Sequence, residues 1–222
     1  MSASDDYNLC LYIGLGYGHC IPAWIPHCKK FIGFEPNPEQ FNHIQEFANT
    51  STYKDKIKLF NYAASDMEGT HEFFITANTV SSSLYEPTGE NKAIGAHRRV
   101  KVKTVNLYNF LEEYDWTDFL GTKNIEHIDL YVSDTQGHDL TIIKTIEPYL
   151  RDKRISIIQC EANHNNKSDY KSAKNDLKDW RQYSPLTDNY DLTADTTVHS
   201  SVELDAVWRA KGDTLKRPSV GF

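Results

Sequence analysis

Leu9-Cys10-Leu11-Tyr12-Ile13-Gly14-Leu15-Gly16-Tyr17-Gly18 is an apolar run that breaks directly into alternating glycines. An unbroken apolar run bounded by glycine predicts a strand buried on both faces, as in a parallel sheet. Glycines at 14, 16 and 18 let the backbone turn sharply beyond that strand and let a ligand approach it closely. A second such run, Phe31-Ile32-Gly33-Phe34, ends at Glu35. Pro22 and Pro26 lie between the two, so the crossover helix there is expected to be short or interrupted. After Glu35 a helix start is predicted: Asn37 as cap, Pro38 at the first helical position, Gln40 three residues past the cap. Phe41, Ile44, Phe47 and Ala48 then fall on one face.

Further along, strands and helices continue to alternate. Residues 57–63 predict a third strand, and 67–70 a turn into Phe73-Phe74-Ile75. Residues 77–97 turn polar, with Ser81-Ser82-Ser83 near the start; a loop of that length is usually functional. Residues 99–105 read as a strand and 107–114 as an amphipathic helix. A fourth core strand, 128–132, leads through Ser133-Asp134-Thr135-Gln136-Gly137-His138 into a helix that Pro148 ends. A fifth, 155–160, ends at Glu161; a polar helix around 172–183 and a late strand over 202–208 follow. The prediction is an α/β fold, a mostly parallel sheet with helices on both faces. It is expected as one domain over residues 1–222, with its core in 7–210 and a polar tail over 211–222.

Bulk properties narrow the function. No apolar run is long enough to span a bilayer, and the opening Met-Ser-Ala-Ser-Asp-Asp lacks the pattern of a signal peptide, so a cytoplasmic chain without a membrane partner is expected. Cys10, Cys20, Cys28 and Cys160 are scattered, which fits a reducing compartment better than a disulfide scaffold. The pairs His19-Cys20 and His27-Cys28 do not match zinc-site spacings, and no metal ligand set is assigned. A net charge of −7 argues against a nucleic-acid partner. The one basic cluster, Arg98, Arg99, Lys101 and Lys103, alternates with Val100 and Val102 and reads as the solvated face of a strand.

In open α/β sheets ligands sit beyond the carboxyl ends of the strands, where strand order reverses. An acid about 20 residues after the first glycine can accept hydrogen bonds from ribose hydroxyls, and Glu35 stands there. A dinucleotide fingerprint would place its third glycine at position 19, which is His19. The glycine loop Gly14, Leu15, Gly16, Tyr17 and Gly18 with Glu35 therefore fits a nucleoside donor without a pyrophosphate, such as S-adenosylmethionine. A nicotinamide-dependent reductase remains the lesser alternative.

The order and spacing of further segments resemble the FkbM family of methyltransferases. They are Tyr12 to Gly18, Gly33-Phe34-Glu35-Pro36-Asn37-Pro38, Ala63-Ala64-Ser65-Asp66 with Gly69, Ser81-Ser82-Ser83-Leu84, Thr104-Val105-Asn106-Leu107, and Ile128-Asp129-Leu130 through Asp134-Thr135-Gln136-Gly137-His138-Asp139. The resemblance implies a class I, Rossmann-like methyltransferase fold of seven strands, the last antiparallel. It also implies methyl transfer to a hydroxyl of a small molecule such as a sugar or glycan. On it, the glycine loop faces the donor's methionine part, and Glu35, flanked by Pro36 and Asn37, faces the ribose. Ala64, Ser65 and Asp66 flank the adenine, and Asp134 borders the methyl group. The chain departs from the family at Tyr12, at Val132 and Ser133, and at Tyr108 and Asn109. These departures motivate a second alternative, a donor-binding module with impaired catalysis.

An alcohol acceptor needs a base within hydrogen-bond reach. Asp134, His138, Glu161 and His164 all fall at carboxyl ends of predicted strands. Asp134 can orient or deprotonate the acceptor, or cap the following helix. His138 at a helix start reads more readily as a structural histidine, and His164 equally as a surface one. Glu161 could hold an acceptor hydroxyl or, with Asp134, a divalent metal, though two carboxylates are too few to assign one. The 77–97 loop is the natural lid, with Ser82 among hydroxyls that can reach the donor. Tyr17 and Tyr85 offer ring faces to a sulfonium.

Overall fold

A computed structural model describes residues 7–88, 94, 97–165, 167–194, 196–199 and 202–215. The glycine-loop strand is β1 (Tyr7–Ile13), and α1 (Ile21–Trp24) leads to β2 (Cys28–Phe34). Helix α2 (Pro38–Thr50) precedes β3 (Ile57–Phe60), and β4 (Ala63–Ser65), β5 (Gly69–Thr76) and β6 (His97–Asn106) follow. Helices α3 (Leu107–Glu113) and α4 (Thr117–Leu120) come before β7 (Ile128–Ser133), and α5 (Asp139–Thr145) and α6 (Glu147–Arg151) before β8 (Ile155–Asn163). The chain closes with α7 (Leu177–Arg181), α8 (Ser184–Thr187), β9 (Tyr190–Leu192), β10 (Thr197–Val198) and β11 (Glu203–Ala210).

The main sheet runs β10-β11-β8-β7-β1-β2-β3, with β9 also paired to β11. Strands β3, β2, β1, β7 and β8 are parallel, and β11 is antiparallel to β8. Strands β9 and β10 pair with opposite ends of β11, so together they fill one strand position in two pieces. The eight strands thus occupy the seven positions expected, with an antiparallel strand at the far side. Order reverses at β1, whose neighbours are β2 and β7. Leu11 and Ile13 point into the core cluster that α3, α5 and α6 cover, while Cys10 and Tyr12 point into the one beneath α1 and α2. Burial on both faces explains why β1 reads as an apolar run, and β8 is buried along its whole length even where Gln159, Glu161 and Asn163 alternate with apolar residues.

Several sequence expectations are corrected. The strand expected over 57–63 divides: Asn61 Nδ2 donates to the carbonyls of Glu35 (2.8 Å) and Pro36 (3.1 Å), and the chain turns there into β4 of a second sheet, β4-β6-β5. The polar helix expected over 172–183 shrinks to α7. Ser172 has φ +62°, Asn175 is buried with its side chain in a hydrogen-bond network, and Asp176 caps the helix through Lys178 N–H at 2.9 Å. Pro148 does not simply end a helix, because it sits in the first turn of α6. The tail is not wholly free, since Leu215 packs beneath α1 and accepts from Arg209; residues 216–222 lie outside the described residues.

Cys10 and Cys28 form a disulfide between β1 and the start of β2, with Cα atoms 6.3 Å apart, while Cys20 and Cys160 are free. This corrects the expectation of four scattered thiols and removes Cys28 as a metal ligand. The two cysteines lie on neighbouring strands, Cys28 paired with Tyr7 and Cys10 with Phe31, a neighbourhood that spacing in sequence does not show. No helix among the described residues is long and apolar enough to cross a membrane. The basic strand β6 is a partnered outer face: Arg98 pairs with Glu39 at 2.7 Å, Arg99 with Glu72 at 3.4 Å, and Lys103 lies over the Tyr62 ring.

Candidate active site

Beyond the carboxyl ends of β1, β2 and β7 lies an open cleft, at the point where strand order reverses. Its floor is the glycine loop. Gly14, Gly16 and Gly18 have φ of +84°, +57° and +71°, a region that other residues enter only with strain. A Cβ on Gly14 would stand 2.0 Å from the Asp134 carbonyl oxygen, and one on Gly18 would stand 2.2 Å from Ile44 Cγ2. Gly14 therefore lets β1 and the β7 loop meet, and Gly18 seats the loop on α2. A Cβ on Gly16 would meet nothing nearer than Gln40 Nε2 at 3.9 Å, so its role is the turn itself.

Glu35 closes one end of the cleft and is 3% exposed. Its carboxylate accepts from the backbone N–H of Gly16 and of Asn37, both at 2.7 Å, which locks the loop to the acid. Burial pushes its pKa up to about 8, and those two N–H donors only partly offset this. Asn37 caps α2 through Glu39 N–H at 3.1 Å and lies behind Pro36, which does line the cleft.

Asp134 follows β7, and its N–H donates to the Ile13 carbonyl at 3.0 Å. It is walled by protein on most sides, yet its side chain is exposed to water. Burial first and the Asp139 carboxylate second push its pKa upward, and the water it reaches tempers the effect. It caps no helix, since His138 occupies the cap position of α5. The first-turn N–H of Leu140 is met instead by Asn175, and the neighbouring Asp139, a residue that sequence reasoning gave no role, organises the loop before the helix. Its buried carboxylate accepts from Ser133 Oγ, Thr135 N–H (3.0 Å) and Asn175 Nδ2 (3.1 Å). Asn175 in turn donates to the Glu161 carbonyl at 2.9 Å and accepts from Leu140 N–H at 3.0 Å.

Gln136 is the second unanticipated group. It has φ +56°, next to Gly137 at +96°. Its Nε2 donates to Asp134 Oδ1 at 2.8 Å and to both Glu161 oxygens at 3.1 Å, while its Oε1 accepts from Tyr170 at 2.8 Å. One amide thus holds together two carboxylates that approach from different strands. Strained backbone at such a clamp is a mark of functional sites.

His138 is buried on the cleft wall, with Nε2 3.0 Å from Ser65 Oγ and its ring edge-on to Tyr85. Burial lowers its pKa to about 4, so it is a neutral imidazole, and its Nδ1 is a buried atom with no hydrogen-bond partner. Ala64 lines the cleft, while Ser65 and Asp66 stand just behind it. Leu15, Tyr17 and Ser82 line it as well, Gly18 does not, and Tyr85 reaches it only through His138. His164 lines neither this cleft nor the acidic one beside it; its Nδ1 is 2.9 Å from Asn165 Nδ2. Among the described residues no three histidine, cysteine or acidic groups converge as metal ligands.

The start of the 77–97 loop forms part of the wall through Thr79, Val80, Ser82 and Leu84. It is tied down by Ser83 Oγ donating to the Gln136 carbonyl (2.8 Å) and Tyr170 donating to the Ser81 carbonyl (2.6 Å). Residues 89–93, 95 and 96 of that loop lie outside the described residues.

The family profile described as the Methyltransferase FkbM domain matches residues 17–191 of this chain. Among solved structures, the methyltransferase FkbM from Methylobacillus flagellatus KT superposes with a TM-score of 0.54 at 9% identity, covering 90% of this chain and 44% of that one. TrmK of M. capricolum in complex with S-adenosylhomocysteine gives 0.47 at 11% identity, covering 94% and 66%. The N-methyltransferase NodS from Bradyrhizobium japonicum WM9 in complex with S-adenosylhomocysteine gives 0.47 at 12%, covering 92% and 79%. The first likeness shows the class I methyltransferase fold, and this chain spans less than half the length of that relative. No curated protein matches the chain in sequence.

Proposed function

This chain belongs to the FkbM methyltransferase family, and we propose that it transfers a methyl group from S-adenosylmethionine to a hydroxyl of a small molecule, a sugar or glycan in class. The observation that supports this best is the placement of Glu35 and Asp134 on the wall of one cleft at the switch point, just after the two strands that flank β1. Glu35 suits a ribose, because its carboxylate is already fixed by two backbone donors and offers its remaining lone pairs to hydroxyl groups. The cleft fits a nucleoside-sized ligand on a second count: Thr135 Oγ1 and His138 Nδ1, both on its wall, are buried without partners.

The donor supplies an electrophilic methyl on a sulfonium. The chain's own task is to align the acceptor and keep water out. Asp134 borders the reacting end and is held at 2.8 Å by Gln136, so its orientation is set before substrate arrives. The acceptor oxygen forms the new C–O bond as the C–S bond breaks with its electron pair passing to sulfur, and the hydroxyl proton goes to the Asp134 carboxylate. His138, held neutral by burial, positions through Ser65 and Tyr85 rather than serving as the base. Ser133, a departure from the family pattern, has a structural role here as the donor to Asp139. On this reading the acceptor is met in the cytoplasm.

The test is transfer of a labelled methyl group from S-adenosylmethionine to an array of oligosaccharides. Label on a hydroxyl, lost in Asp134→Asn with donor binding retained, is the expected result. Label on nitrogen would overturn the hydroxyl assignment. Donor binding without transfer to any member would favour the binding-module alternative.

A further inference from the structure

A second cleft opens on the other side of Tyr12 and Asp134, the two residues it shares with the first. Strands β7, β8 and β11 wall it, and Gln159, Glu161, His199, Glu203 and Asp205 are its other polar groups apart from Ser133. None of the residues lining it is a lysine or arginine. Asp205 lies directly across the antiparallel pairing from Glu161. Asp134 follows Ser133, which aligns with Cys160, so it stands beside Glu161 on the other flank. Three carboxylates therefore form one row across three strands. Like charges directly opposite one another weaken a sheet.

Among the described residues, neighbouring groups bond these acids across the cleft. Gln136 Nε2 bridges Asp134 and Glu161, and His199 Nε2 lies 2.8 Å from Asp205. Burial and the neighbouring acids hold Glu161 well above the usual carboxylate range. A separate observation points to a ligand. Gln159 is 2% exposed on the wall of this cleft, its Nε2 reaches Asp205 at 3.5 Å, and its Oε1 is buried with no hydrogen-bond partner. An acceptor oxygen left open beside a row of carboxylates calls for an occupant that donates hydrogen bonds and is positively charged.

We propose that this second cleft is the acceptor subsite and that it selects an acceptor carrying a protonated amino group beside the hydroxyl to be methylated, an amino sugar or aminocyclitol in class. This deepens the methyl-transfer reading and rests on it. The ammonium takes no part in the chemistry: it sits between Glu161, Asp205 and Gln159 Oε1 and keeps its protons, while the neighbouring hydroxyl reacts at Asp134. A neutral sugar would fill the hydrogen bonds but leave the carboxylate row uncompensated.

The experiment titrates matched pairs, glucosamine against N-acetylglucosamine and 2-deoxystreptamine against its N-acetylated form, into the full chain by ligand-observed NMR, with and without S-adenosylhomocysteine. The amine of each pair should bind about tenfold or more tightly than its acetylated partner. That preference should shrink to about twofold or less in Glu161→Gln and in Asp205→Asn, each a shape-preserving change whose folding is checked by thermal melting. Equal binding within the pairs would overturn the proposal, as would tight binding of calcium or magnesium with none of the amines. So would loss of S-adenosylhomocysteine affinity in the two variants, which would assign the acids to the donor's own ammonium. Failure of S-adenosylhomocysteine to bind the unaltered chain would refute the methyl-transfer reading, and the pairs titrated without it still decide the chemistry of the cleft.

Discussion

Donor binding should depend on pH through Glu35. In the free protein this buried carboxyl titrates at about 8, against an ordinary value of 4.5. Its folded pKa is raised, so its contribution to stability is fully present below the unfolded value and is lost as pH rises through about 8. By pH 7 the free protein has given up about 3 kcal/mol on this one group, at 1.36 kcal/mol per unit of differential pKa. A bound donor or its demethylated product changes the balance, because the ribose hydroxyls of either donate to the carboxylate. Binding that needs the ionised form is weakened about tenfold at pH 7 and about a hundredfold at pH 6, and reaches a plateau above about pH 8 to 9. Calorimetry with S-adenosylhomocysteine, in buffers of differing ionisation enthalpy, should therefore report release of about 0.9 proton per ligand at pH 7. Glu35→Gln should abolish both the slope and the proton release, and weaken binding at pH 8.5, where the native carboxylate is mostly ionised. Affinity that stays flat from pH 6 to 8.5 without proton release would refute the reasoning.

Other outcomes follow from the same geometry. Gly14→Ala must place a Cβ 2.0 Å from the Asp134 carbonyl at φ +84°; strain and clash together should cost about 3 kcal/mol or more, seen as a melting point lower by about 6–12 °C and as weakened donor binding. Glu161→Gln should raise the melting temperature of the ligand-free protein, and by more at pH 8 than at pH 5. The raised pKa of Glu161 means that stability is lost as pH climbs from the unfolded carboxylate value, a loss the amide does not suffer. Asn175→Ala leaves Asp139 and Leu140 N–H short of partners inside the protein; destabilisation of about 1–3 kcal/mol per buried group left unpaired should appear in a denaturant melt, together with reduced transfer rate. Gln136→Ala should slow methyl transfer more than it weakens donor binding, since the amide orients Asp134 and Glu161 and does not line the donor cleft.

What the sequence disclosed was local. The apolar run of β1, the glycines after it, the acid ending β2 and the Asn37-Pro38 helix start all sit within one crossover, so period and capping chemistry suffice to read them. Asp134, Glu161 and Glu35 were legible for the same reason, as polar residues at the ends of apolar runs. Their grouping was not. Gln136 meets Glu161 across 25 residues, and Asn175 meets Asp139 across 36, with no periodicity to announce either. The Cys10–Cys28 disulfide joins neighbouring strands across 18 residues, and the split of residues 57–65 between two sheets turns on a single asparagine amide. The acidic cleft emerges only when β11 returns antiparallel to β8 and places Asp205 opposite Glu161. Strand boundaries read from apolar content stopped short on β8, because Glu161, Ala162 and Asn163 continue the strand while bonding through a polar network.

The most direct measurement is a calorimetric titration of the full chain with S-adenosylhomocysteine and, separately, with NAD at pH 8.5. The cleft as described should take one S-adenosylhomocysteine per chain with saturable heat, lose most of that affinity in Glu35→Gln, and give no binding isotherm with NAD. Saturable binding of NAD with none of S-adenosylhomocysteine would contradict the account at its centre.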